Sequence, residues 1–418
     1  MNILHLAPTS AVRIGLRRSL QVAVLRSESE LRGLEAEWSD LHASCQRASL
    51  CASHSWVLSW WEAFCNTAGG TDAELYVVTA RDEEGLLVGA LPFYEERPTG
   101  AGPRRLRLIG DMAFDRTWAM TEEPCALLRT GMETKILRAV SETLASCLRA
   151  GRWDMVVIRA TYEGPDSLQE AILEPFGSFC LTKPELISGS THAELPTCWK
   201  VYRKELSKSM RDNLGYYPRL LTRDGHDWSV RQIRDSKEIG EACDRLVALH
   251  QNRSASTRGV QHDCHIDGPK QVDFLHRMMT RLSTEGKAFI GELVIDGRVI
   301  ASQAFVEDGD QLMVYYSGYE EEWYKYSPIF VIDTVVFQEA LERGVRLLNF
   351  LGSKRQWTLR WNASWTQSCH RIVIVPKRPL SLVRSGALVV PYVAKNVLQA
   401  KAEKLRGLAK QRLTKLKS

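Results

Sequence analysis

The sequence predicts an α/β (α+β) protein of two tandem units, each a mixed, mostly antiparallel sheet flanked by helices. Three observations predict it. At 418 residues the chain is long for a single core. Two stretches, from about Leu75 to Tyr94 and from Ala288 to Phe305, read as strand–turn–strand. Each is followed by a helix that stops at a glycine and then by another strand, so one order of elements occurs twice.

In the first unit "LYVVTA" is β-branched and apolar, "RDEEG" is a turn, and "LLVGALPFYE" resumes the apolar run. A helix over "METKILRAVSETLASCLRAG" ends near Gly151, and a strand runs from Met155 to Arg159. In the second unit Asp296-Gly297 is a hairpin signal between "AFIGELVI" and "VIASQAF". The turn "EDGDQ" leads into the strand "LMVYYSGY", then a helix to Gly344 and a strand from Arg346 to Leu351. Between the units, Met210, Leu214 and Tyr217 recur at helical spacing around Lys208 and Arg211, which gives a helix with one basic face. Two more helices, "SKEIGEACDRLVALHQNRS" and "VDFLHRMMTRLSTEG", lead into the second sheet. The boundaries follow: a first half over 1–190, a basic linker helix over 191–230, a second half over 231–375, and a basic amphipathic tail over 376–418.

A charged fraction of 25% fits a soluble globular protein, and no run approaches the roughly 18 apolar residues of a membrane span. The N-terminal segment mixes arginine and polar residues through its apolar part, unlike a signal peptide. Ten cysteines without a CxxC pair point to reduced thiols and a cytoplasmic location. The net charge of +5 is concentrated in Lys200–Arg223 and Lys395–Ser418. Each segment reads either as a solvated helix face or as a site for phosphate, nucleic acid, acidic glycan or a membrane surface. In the tail, Val397, Leu398, Ala402, Leu405 and Leu408 share a side, which suits peripheral membrane contact or a helix that closes the fold.

Several residue groups carry chemistry. In "KYSPIF", Ser327 suits an N-cap and Pro328 the first helical position. The plain reading is a capped helix. The functional one is an anion seat, because unpaired amides gather at a helix N-terminus. In "LHQNR", His250 has the side chain to take a proton from an amine, with Gln251 and Arg253 to orient a substrate. Strand alternation puts Tyr315 and Tyr316 on opposite faces, one of them able to protonate a leaving thiolate. Trp56, Trp60 and Trp61 form either a packing face or a sugar-stacking platform. "QHDCHID" offers His262, Cys264 and His265, but no second ligand pair at zinc-finger spacing, so no metal is expected.

The motifs "SHSWVLSWWEAF", "LVGALPFY", "LRLIGD" with the Asp115 region, "SKSMRDNLGYYPRLL", "LHQNR", "LVIDGRVIASQAF", "YYSGYEEEWYKYSP" and "LLNFLGSKRQWTLRW" follow one another along the chain. In that order they resemble the GNAT acyltransferase superfamily. The resemblance is closest to the CelD-type group associated with bacterial cellulose and exopolysaccharide genes. That group is distantly similar to the Fem peptidoglycan aminoacyltransferases, which also carry two GNAT-like halves. The resemblance implies an N-acyltransferase that moves an acyl group from acetyl-CoA or another acyl-CoA to an amine. The amine would belong to a small molecule, a sugar or another glycan acceptor such as a polysaccharide precursor.

The resemblance assigns cofactor contacts to Tyr319, Tyr326, Ser327, Ile329 and Phe330. Substrate contacts fall to Trp61, Asp115, Lys208, Arg211, Gln251, Arg253 and Arg360, and catalytic roles to His250, Tyr316 and Asn349. Members commonly carry Asp where this chain has Asn349, and often Gly where it has Ile329. The Fem-like side implies an alternative donor, aminoacyl-tRNA, with the basic segments tracking RNA phosphate. A non-catalytic scaffold in polysaccharide biosynthesis is the third reading.

Overall fold

The computed structural model describes residues 20–45, 48–65, 72–97, 100–111, 120–123, 126–162, 166–255, 264–352, 356–386 and 390. The first half runs β1 (Gln21–Leu25), α1 (Glu28–Gly33), α2 (Glu35–Ser44), α3 (His54–Phe64), β2 (Asp72–Arg81), β3 (Leu87–Arg97), β4 (Arg105–Leu108), β5 (Leu127–Leu128), α4 (Glu133–Arg149), β6 (Met155–Tyr162), α5 (Asp166–Leu173) and β7 (Cys180–Glu194). Two helices, α6 (Trp199–Glu205) and α7 (Lys208–Arg223), join it to the second half. That half runs β8 (Trp228–Ile233), α8 (Ile239–Ala255), α9 (Pro269–Thr284), β9 (Ala288–Ile295), β10 (Arg298–Asp308), β11 (Gln311–Tyr319), α10 (Pro328–Glu342), β12 (Leu347–Asn349), α11 (Gln356–Arg360) and β13 (Ser364–Pro376).

Local sequence accounts for much of this. Ser27 and Glu30 form a reciprocal capping box that starts α1. Asp296 and Gly297 both adopt positive φ, the two-residue turn that matches strand twist and joins β9 to β10. Ile136, Val140, Leu144 and Leu148 of α4 are buried one turn apart. The expected order of elements occurs in both halves.

All thirteen strands lie in one sheet, ordered β1-β2-β3-β4-β6-β13-β7-β12-β11-β10-β9-β8, with β5 beside β3. Among the described strands only β4–β6 and β11–β12 are parallel, each pair linked by a crossover through α4 or α10. At the centre the halves trade strands. β7 of the first half pairs with β12, and β13 of the second pairs with β6. The traded strands then pair with each other from Cys180↔Pro376 to His192↔Ser364. Boundaries near 190 and 231 therefore divide the chain along its length but not in space. The expected single linker helix is two helices, because Leu206 and Ser207 leave the helical region between them.

Three helices, α3, α8 and α9, cover the face of the sheet that both halves share. Trp56 and Trp60 are fully buried there, and Trp56 meets Phe274 and Tyr315 edge-on at 5.4 Å. The stacking-platform expectation is thereby corrected. Trp61, expected to touch substrate, is buried in the same core and offers no exposed ring face. Where α3 meets α9, the buried Glu62 carboxylate accepts from Arg32, Arg277 and Arg281. Residue Asp115, residue His262 and the predicted amphipathic tail from Lys395 lie outside the described residues. Among the described residues no helix is long and apolar enough to cross a membrane.

Candidate functional site

The two strands β11 and β12 touch only from Gln311↔Leu347 to Met313↔Asn349. Beyond Met313, β11 continues to Tyr319 without that neighbour. Leu351 at positive φ turns the other strand aside, and the Phe350 amide bonds to Thr191 instead. For this reason β12 is shorter than the expected Arg346–Leu351. The result is a wedge open at the C-terminal ends of two parallel strands, below the start of α10.

A β-bulge in the β10–β11 ladder falls in this same stretch of β11. Val314 faces Phe305 and Ser317 faces Gln303, so Tyr315 and Tyr316 together oppose Ala304. The extra residue breaks the alternation that was expected to separate the tyrosines. Their rings lie 4.4 Å apart in one cluster. Tyr315 donates its hydroxyl to the Met120 carbonyl, and burial raises its phenol well above the usual range. Tyr316 sits between the rings of His250 (5.7 Å) and His265 (6.1 Å).

At the start of α10, Ser327 is left-handed (φ 48°, ψ 60°) and its hydroxyl makes no cap bond. The expected side-chain cap is absent because the preceding 3-10 turn, Glu321–Tyr326, runs directly into the helix and bends the Ser327 backbone. Val331 bonds to the Ser327 carbonyl at 3.2 Å, and Pro328 has no N–H. The Ile329 and Phe330 amides therefore have no acceptor among the described residues. Ser327→Ala should change unfolding free energy by no more than about 0.5 kcal/mol, since no cap bond is lost. Ser327→Gly should stabilise by about 1 kcal/mol by relieving the positive φ. Thermal denaturation of the two variants checks both, and a loss of 1 kcal/mol or more in the alanine variant would contradict the left-handed, uncapped geometry.

Around this start, Phe330 stacks on Trp361 at 5.3 Å and meets Tyr217 at 5.6 Å. The exposed Arg360 places its guanidinium 5.8 Å from the Phe330 ring, so these two expected residues do come together. Arg253 lies 4.5 Å over Tyr319 at the end of β11. Gln251 donates to the Ile266 carbonyl at 2.8 Å. Tyr326 is a correction: it is buried, and its hydroxyl bonds Asp224 (3.0 Å) and His226 (3.0 Å), which braces the loop. Arg211 holds the Lys204 and Leu206 carbonyls at the end of α6, and Lys208 is exposed at the first turn of α7. Among the described residues no hydrogen bond or ion pair ties either to the wedge strands.

Two of the expected catalytic residues are also corrected. His250 donates from Nδ1 to the Ser317 carbonyl (2.9 Å), and its Nε2 accepts from the His265 amide (3.3 Å). Burial lowers its pKa, so it is a neutral brace without a free lone pair. It holds α8 against β11 where a Cβ on Gly318 would stand 2.3 Å from the His250 nitrogen. Asn349 donates from Nδ2 to Glu123 (3.1 and 3.3 Å) and Gln311 (3.0 Å), while its Oδ1 accepts from the Leu351 amide. A saturated amide cannot act as a base.

Sequence reasoning missed the strap Met120–Glu123. This piece of the first half crosses the wedge on the α3 face. Met120, at positive φ, accepts from Tyr315 of β11, and the Thr121 and Glu122 carbonyls accept from Arg159 of β6. The Thr121 hydroxyl accepts from the Trp56 indole at 3.1 Å. The Glu123 carboxylate accepts from Asn349, Ser49 and Ser190. Burial pushes the Glu123 carboxyl up to about 7, against the donors Asn349 and Ser49. "TEEP" carries no periodicity, so nothing local signals that it would bridge two strands of the other half. On the opposite side, Asp333 of α10 is buried with one carboxyl oxygen unpartnered, and burial raises its pKa well above the usual range. Among the described residues no group of three or more His, Cys, Asp or Glu could hold a metal.

Residues 208–358 match the family described as an acetyltransferase (GNAT) domain. No curated protein sequence matches the chain. In fold, the chain is similar to FemX, with 10% identity over 84% of this chain and 98% of that one, at a TM-score of 0.57. It is also similar to a conserved protein of unknown function from Bacteroides thetaiotaomicron, with 9% identity, 84% and 100% coverage and a TM-score of 0.50. The second half, which holds the wedge, thus carries the match to a GNAT acetyltransferase domain, and the two halves together share the fold of FemX.

Proposed function

We propose that the protein is an N-acyltransferase that moves an acyl group from an acyl-CoA to a primary amine in the β11–β12 wedge. One observation carries the reading: the stretch of β11 beyond Met313, bulged against β10 and without β12 on its other side, lies beside the Ile329 and Phe330 amides of α10, which have no acceptor among the described residues. Those amides and the helix dipole suit the pyrophosphate, with Arg360 alongside. The free edge of β11 offers backbone N–H groups to the thioester carbonyl, whose oxygen gains charge as the amine attacks. A new C–N bond forms, the C–S bond breaks, and the proton that the amine nitrogen loses ends on the departing thiolate. Holding both reactants in one cleft supplies much of the rate. The strap side is left to the acceptor, an amine of a small molecule, sugar or polysaccharide precursor such as the CelD-type group would use.

The test is acetyl-CoA binding by thermal shift and calorimetry. Ile329→Asp puts a carboxylate at the helix start, which suits the dipole but repels pyrophosphate. It should leave the melting temperature within a few degrees and weaken acetyl-CoA by about tenfold or more. If neither acetyl-CoA nor longer acyl-CoA thioesters bind the wild type, the reading fails.

A further inference from the structure

Apart from the wedge, one exposed face, where α6 meets the second half, shares only Arg360 with the chemistry above. Helix α6 buries Tyr202 and leaves Lys200, Val201 and Lys204 outward. The short α11 buries Thr358 and leaves Trp357, Leu359 and Arg360 outward. The two are fastened side by side, since the Tyr202 hydroxyl donates to the Trp361 carbonyl at 2.7 Å and Asn362 donates to the Glu205 carbonyl at 3.1 Å. Val201 and Trp357 are each 41% exposed and Leu359 is 39% exposed, so three large apolar side chains share one face in water. Among the described residues neither Lys200 nor Lys204 forms an ion pair, and Arg360 lies 5.8 Å from the Phe330 ring. Glu205 is the one acid within α6.

We propose that α6 and α11 form a docking face for an anionic phospholipid bilayer. Apolar side chains ringed by cations fit the headgroup boundary: the lysines meet anionic headgroups while their stems lie along the surface, and tryptophan favours that depth. RNA would use the cations and stack on Trp357, but Val201 and Leu359 give nothing to a phosphate or a base. Three apolar side chains are also too few for the centre of a stable protein interface. The face adjoins the start of α10 through Arg360 and Phe330, so docking would set the α10 side of the wedge against the membrane.

The experiment is co-sedimentation of the full chain with phosphatidylcholine vesicles, with and without phosphatidylglycerol. Binding should require phosphatidylglycerol and weaken as salt is raised. Because the chain also has a basic C-terminal region, the variants sit in the face itself. Lys200→Glu with Lys204→Glu should weaken binding by about tenfold or more. Val201→Ser with Leu359→Ser should weaken it severalfold at unchanged melting temperature. No vesicle binding, or binding that both double variants retain, overturns the proposal. Vesicle binding lost with the charges but kept without the apolar residues overturns insertion. A face that binds tRNA and not phosphatidylglycerol, with the same charge dependence, would be an RNA surface instead. None of these outcomes depends on acyl-CoA binding.

Discussion

Glu62→Ala should lower the unfolding free energy by about 2–4 kcal/mol, the largest single-residue effect expected outside the apolar core. The carboxylate is 7% exposed and faces three guanidinium groups. Arg281 bonds both oxygens, at 2.9 and 2.7 Å, Arg277 bonds one at 3.0 Å, and Arg32 approaches from α1. Removing the anion leaves three cations crowded at the α3–α9 contact. Their side chains are 26–48% exposed and regain some water, so the loss stays below that of a fully buried pair. Glu62→Gln keeps acceptor oxygen but no charge and should fall between wild type and alanine. Arg281 and Glu62 should couple in a double-mutant cycle, since they share two bonds. Urea unfolding is the measurement, and the transition should remain single because traded strands β7 and β13 bind the halves into one sheet. A change under 1 kcal/mol for the alanine variant would show that the clamp is not a determinant of how the halves dock.

The parts legible in the sequence were those written in short-range patterns. The Asp296-Gly297 hairpin, the glycines that end α4 and α10, and the repeated order of elements all depend on neighbours a few residues apart. What the sequence did not show depends on partners far along the chain. Nothing in residues 180–194 indicates that β7 would leave its own half to lie beside β12, because an apolar strand specifies a face and not a partner. The same limit applied to the site. The start of α10 was found, and Phe330 and Arg360 do meet, but a bulge opposite Ala304 re-aimed the two tyrosines. His250 and Asn349 have the residue types of catalysts, and only their hydrogen bonds reveal them as braces. Glu123 was invisible for the converse reason: its environment is assembled from Ser49, Ser190 and Asn349, three segments widely separated in sequence.

That environment makes a second strong prediction. Between about pH 5 and pH 8 the wild type should lose roughly 3 kcal/mol of stability relative to Glu123→Gln. In the folded protein the Glu123 carboxyl titrates at about 7, raised from 4.5 by burial. Between those two values the folded state holds a proton that the unfolded chain has released, so stability falls as pH rises through the window and is level above it. Glu122 adds to the upward shift and Arg159 opposes it, while Ser49 and Asn349 supply donors to the ionised form. Glutamine keeps the shape and one acceptor oxygen without the titration, so the pH dependence of the difference between two denaturation series isolates this group from Asp333 and others. Parallel curves for wild type and variant from pH 5 to pH 8 would rule the raised pKa out. The strap also ties the titration to the wedge. Ionised Glu123 holds the Asn349 amide, and Asn349 fixes the Leu351 turn that parts β12 from β11. Acyl-CoA affinity should therefore carry a pH dependence around 7 in the wild type that Glu123→Gln lacks, a difference that simple loss of packing would not produce.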